Sequence, residues 1–171
     1  MKVTKSKNFN NIGLTEVKQH LRIQNDFIDD DNYLNLLIKT ATRIAEDYLN
    51  NDIASTTTTI IDYDIQNSEY VINTDNCEIL GVTGDTAITG YTLFNFFNYS
   101  TIVFPSFINV KNLKVVYTGG YTSTTLPDQI KFAILVKIAE LYDFDRGNYI
   151  NNSLKYTRTF ENLLDPYKIL F

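Results

Sequence analysis

The stretch Tyr117–Tyr142, YTGGYTSTTLPDQIKFAILVKIAELY, sets a strand, two glycines and a helix in the order from which phosphate cradles are built. That chemistry needs backbone N–H groups around the phosphate oxygens and a Lys opening the helix. Here no Lys follows Gly119-Gly120 until Lys131, already inside the helix, and there is no third glycine for a dinucleotide fingerprint. Asp128 at the helix start would repel the anion that a helix dipole attracts. Gly119-Gly120 are therefore expected to end a strand with a turn of positive φ.

Three other groups carry reactive side chains. "NDFIDDDN" (25–32) has the acidic density of a calcium loop but lacks its central Gly and its spacing of oxygens, so helix capping explains it better. His20 is the only histidine and Cys77 the only cysteine, and no G-x-S-x-G elbow accompanies them. Carboxylate pairs such as Asp62 with Asp64, or Asp143 with Asp145, are as expected of solvated strands as of a hydrolase. No enzyme, no cofactor and no metal site is expected.

Composition narrows the class further. The chain has 171 residues, 44% of them hydrophobic, and a net charge of −5. A nucleic-acid binder needs a basic face to displace counterions, and the only basic cluster is Lys2, Lys5 and Lys7. One cysteine excludes an internal disulfide. No apolar run follows the N-terminal lysine, and no stretch approaches the ~20 apolar residues of a membrane span. A soluble protein made in a reducing cytoplasm, with no membrane partner, is expected.

The elements follow from hydrophobic period. Helices are expected near 15–21, with Thr15 as N-cap, near 30–50 behind Asp29, Asp30 and Asp31, near 127–146 and near 159–165. Between them, near 55–118, β-branched and aromatic runs punctuated by Gly, Asn and Asp predict five or six short antiparallel strands. The fold class is thus α+β, a helical core with an inserted antiparallel β-rich region. Residues 1–13 read as a polar arm. The third helix leaves almost no polar face, so its own fold or a partner must cover it.

The order "LTEVKQHLRI", "DDDNYLNLLIKTATRIAEDYL", "VVYTGGY", "LPDQIKFAILVKIAELY", "LLDPY" resembles the head–tail connector (adaptor, head-completion) proteins of tailed bacteriophages, in the branch with a β-rich insertion. The likeness covers most of 14–167. It departs after Tyr142, where members often carry an Arg three residues on and this chain has Arg146 four on. It implies one connector domain over 14–171, with insertion 53–118 between helical parts 14–52 and 119–171. It also implies a non-enzymatic virion protein at the head–tail junction. Its copies would form a ring, about twelve in number, under the portal. That ring would extend the DNA channel without specific DNA binding and meet tail or stopper proteins.

On this basis a partner or subunit interface is expected at Ile130, Ile134, Ile138 and Tyr142 of the third helix. It would continue through Phe160, Leu163, Leu164, Tyr167, Ile169, Leu170 and Phe171 at the C-terminal end. A second reading is a binding module whose aromatics Tyr91, Phe94, Phe96, Phe97 and Tyr99 take a glycan or a protein.

Overall fold

The computed structural model describes residues 1–72, 74, 77–85, 88, 90–96, 99–142 and 158–169. It has an α+β architecture, as the periodicity predicts. In chain order the elements are β1 (Lys2–Asn8), α1 (Leu14–Leu21), α2 (Asp31–Leu49), β2 (Ser55–Ile72), β3 (Glu78–Thr83), β4 (Thr92–Asn95), β5 (Ser100–Gly119), α3 (Asp128–Tyr142) and α4 (Thr159–Leu164). A 3-10 turn, Asp165–Tyr167, follows α4. The chain divides into two compact units. One comprises Met1–Asn8 and Ala54–Gly120, the other Phe9–Ile53 and Tyr121–Phe171.

The helical unit is built on α2 and α3. Leu34, Leu37, Ile38, Ala41, Ala45 and Leu49 form the buried stripe of α2 at helical spacing. Thr42, buried within that stripe, donates to the Ile38 carbonyl at 2.8 Å, so its hydroxyl carries no desolvation penalty. Asn50 closes the helix at φ 56, the left-handed C-cap that Asn tolerates. Ile130, Ala133, Ile134 and Ile138 of α3 meet the α2 stripe in one core with Val17, Phe160 and Leu164.

The start of α1 differs from expectation. Gly13, not Thr15, occupies the N-cap, and its N–H donates to Glu16 Oε2 at 3.0 Å. That bond, aided by Lys131 at 3.1 Å, holds the Glu16 carboxyl below its usual range. Gly13 leaves the backbone accessible to a Glu reaching back, which a cap hydroxyl at Thr15 would not need.

In the β unit the strand order is β1-β2-β5-β3, with β4 also on β5, and all pairings are antiparallel. Two long strands replace four of the short ones expected. The turn-forming residues within them bend the strands instead of reversing them. Asp64 sits at φ 56 in the middle of β2, and the β2–β5 register shifts from Asn67↔Ile108 to Glu69↔Val103. Pro105 lies in that irregular span of β5, where no ladder N–H is required of it. Residues 2–8, read from sequence as part of an arm, are an edge strand on β2 from Lys2↔Ile61 to Asn8↔Ser55. Alternating Lys, Thr and Ser suits an edge that faces water and discourages stray pairing.

Tyr70 ties β2 to itself across the bend. Its hydroxyl donates to Asp62 Oδ2 at 3.3 Å. Burial, and then the Asp62 charge, push the phenol from 10.0 up to about 12. A raised folded value stabilises fully below the unfolded phenol pKa and is lost as pH rises through the folded one. The stability advantage of wild type over Tyr70→Phe, followed by urea unfolding, should therefore shrink between pH 10 and about 12. An advantage that stays constant across that window would contradict this role for Tyr70.

Candidate interaction surfaces

The groups that suggested chemistry are placed as structural residues. β5 ends at Gly119 and Gly120 takes φ 78, so only the second glycine makes the positive-φ turn. A Cβ on Gly119 would come within 3.4 Å of Thr74 Oγ1, which accounts for the first. The loop that follows is closed by threonines, with Thr122 N–H donating to Thr125 Oγ1 at 2.9 Å.

In the acidic stretch, Asp30 accepts from the Tyr142 hydroxyl at 2.8 Å and Asp31 pairs with Lys18. His20 lies edge-on to Phe132, ring centroids 6.1 Å apart, in the helical unit. Cys77 is buried in the β unit, its thiol facing Asn95 Oδ1 at 3.8 Å. Asp62 receives Tyr70, while the positive φ of Asp64 breaks the alternation that would align the two carboxylates. Asp143 and Asp145 lie outside the described residues. Among the described residues no group of three or more His, Cys, Asp or Glu could hold a metal. No helix there is long and apolar enough to cross a membrane.

The interface residues expected from sequence need correction in most positions. Ile130, Ile134, Ile138 and Leu164 are 0% exposed, and Phe160 and Ile169 are buried as well. A side chain already covered by its own unit has no apolar area left for a partner. Tyr142, Leu163 and Tyr167 pack on the same core but keep part of their surface. Leu170 and Phe171 lie outside the described residues. The C-terminal end folds back: Ile169 N–H donates to the Leu49 carbonyl at 3.0 Å and Asn50 Nδ2 to the Ile169 carbonyl at 3.0 Å. Tyr48 adds a hydroxyl bond to Asp165, and the Lys168 ammonium sits 4.4 Å from the Tyr48 ring centroid. On α3 the side left open is that of Phe132, 48% exposed, with half-buried Val136 and Ala139 at helical spacing.

The β unit exposes a second apolar surface, part of which was anticipated. Val71 and Phe94 both pair with Thr101, so the three share one face of the β2-β5-β4 end of the sheet. Phe96 and Tyr99 close the hairpin, Phe96 N–H donating to the Tyr99 carbonyl at 2.8 Å. Their rings stack with centroids 4.7 Å apart. Val71, Phe94, Phe96 and Tyr99 are all exposed, whereas Ile72 and Ile102 on the opposite face are buried. Tyr91 is half-buried against the β core, and Phe97 lies outside the described residues. Val71 was missed by sequence reasoning, because only the register shows that it joins the aromatics.

The two sides of α3 should respond differently to truncation. Ile134→Ala should destabilise by about 3 kcal/mol, the cost of a core cavity. Phe132→Ala should stay within about 1 kcal/mol. Urea unfolding of the isolated protein checks both, and equal losses would contradict the assignment of core and open faces.

Comparison with known proteins agrees with this architecture. Residues 11–76 match the family model "Phage gp6-like head-tail connector protein". No curated protein matches the chain. Among solved structures, a chain from the neck of an empty gene transfer agent (GTA) particle computed with C6 symmetry superposes with a TM-score of 0.78 at 13% identity, over 100% of this chain and 97% of that one. A chain from the virion of a native GTA particle gives 0.76 at 13% identity, with the same coverage. One from the neck of a native GTA particle computed with C12 symmetry gives 0.76 at 11%, again over 100% and 97%. At such identities these likenesses speak for the fold. The signature is carried by 11–76, the segment that holds α1, α2 and β2. The resemblance read from the sequence is thereby borne out: residues 11–76 carry the signature of gp6-like phage head–tail connector proteins, and the chain shares its fold with chains from GTA necks.

Proposed function

We propose that this chain is a structural virion protein of the head–tail junction. Its copies stand in a ring that joins the capsid to the tail and extends the channel through which DNA leaves. The observation that carries this reading is the joint match: a connector signature on 11–76, and a fold shared over the whole chain with chains from GTA necks. The C6 and C12 symmetries of those particles support a cyclic arrangement, with about twelve copies as the expected number. A portal above and a tail or stopper protein below are the partners such a position requires.

The physical character of the chain suits this task. A net charge of −5 keeps a channel wall from holding DNA by counterion release, so DNA passes without being bound. A well-packed helical core lets each copy fold before assembly. The work of joining then falls to surfaces outside that core, including the half-buried Tyr142, Leu163 and Tyr167.

A second reading takes the aromatic face of Val71, Phe94, Phe96 and Tyr99 as the site of a binding module. Stacked rings on a strand pair are suited to a sugar ring or a flat protein surface. The two readings separate genetically. Inactivating the gene should leave DNA-packaging heads and complete tails that do not join, visible by electron microscopy of lysates. Supplying the protein should restore joining. Normal particles that merely fail to adsorb to their target would favour the binding module and contradict the junction role.

A further inference from the structure

We infer that the loop between α1 and α2 forms one side of the seam between neighbouring copies, and that the outward face of α2 on the next copy forms the other. The inference rests on the ring reading and assigns the surfaces that close it.

The first observation is a buried ammonium. Lys18 is only 4% exposed, yet its Nζ donates to the carbonyls of Phe27 at 2.7 Å and Asn25 at 3.3 Å and pairs with the Asp31 carboxylate. Burying a charge is costly unless acceptors surround it, and here all three come from residues 25–31. Two tight backbone contacts complete the loop, Phe27 N–H to Gln24 O and Asp31 N–H to Ile28 O, both 3.1 Å. This segment is therefore held in one course.

What the clamp presents is apolar. Phe27 is 42% and Ile28 68% exposed, flanked by exposed Asp26 and Asp29. An apolar pair fixed in water by a buried charge is preorganised to be covered.

The second observation is the complementary surface in the same unit. Along the outward side of α2, Leu36 is 58% exposed, and Lys39 and Arg43 follow it at helical spacing. Arg43 is steadied by the Phe9 ring, 5.5 Å from its guanidinium carbon, and Asp47 lies a turn beyond. Asp26, Asp29 and Lys39 make no ion pair among the described residues. One surface is thus an apolar pair with acids at its rim, the other a single exposed Leu36 beside two bases, with Asp47 beyond them. A closed ring needs two different surfaces per copy that fit each other, and opposite charge at the rim sets their register. Both lie within 11–76, the segment that carries the connector signature.

The test is a charge exchange on the full chain. Asp26→Lys with Asp29→Lys should weaken ring assembly about tenfold or more in concentration, because like charges then meet across the seam. Lys39→Glu with Arg43→Glu should do the same, with Lys39→Glu alone as the milder variant that spares the Phe9 contact. Combining the loop and helix changes should bring assembly back to within about threefold of wild type. Light scattering against protein concentration reads the rings, and circular dichroism confirms that each variant is folded. Rings that form equally well in all variants, or a combination no better than either half, would overturn the seam while leaving the ring intact. A wild-type chain that stays monomeric would overturn the ring and the seam together. Loss on the loop side alone, without rescue, would mean that the loop docks a different protein, and would also overturn the inference.

Discussion

Everything in the helical unit depends on the covering of α3. A helix with Ile130, Ala133, Ile134 and Ile138 on one side and Phe132, Leu135, Val136 and Leu141 on the others cannot stand in water by itself. α2 covers the first side with a stripe of matching length, and Phe160 and Leu164 of α4 close the core from the C-terminal end. The turn after α4, and the bonds of the Ile169 backbone to the Leu49 carbonyl and the Asn50 side-chain amide, follow from that closure. Once the core is sealed this way, partners meet only what is left outside it.

The β unit solves a different problem, the length of its strands. β2 and β5 run far beyond the usual strand, and a flat ribbon of that length would expose long edges. The bend at Asp64, the register shift at Asn67/Glu69 and the Pro105 irregularity break up the ladder. β1, β3 and β4 then cover parts of the edges. The cost is one apolar face, around Val71 and Phe94, that the unit itself leaves open.

Much of this was legible in the residues. The α2 stripe, the Pro127-Asp128 start of α3 and the break at Gly120 are local signals, and each lies where the spacing predicts. The errors arose where local signals are shared between outcomes. Asn67-Ser68 marks a turn as readily as a bulge, and only pairing with β5 decides. KVTKSKN is polar enough for a tail, yet alternation makes it an edge strand once β2 offers an edge. The apolar α3 and the C-terminal YKI called for a cover but could not say whose, and the structure supplies it from within the chain. Lys18 carried no sequence signal at all, since its acceptors are backbone carbonyls.

The central claim is that the chain is a self-contained fold whose copies close into a ring at the head–tail junction. Electron cryomicroscopy of the particle neck tests it most directly. The account predicts a ring of identical copies between portal and tail, each with Ile134 packed under its own α2. A neck without this chain, or copies whose α3 packs into the neighbour instead of its own unit, would contradict it.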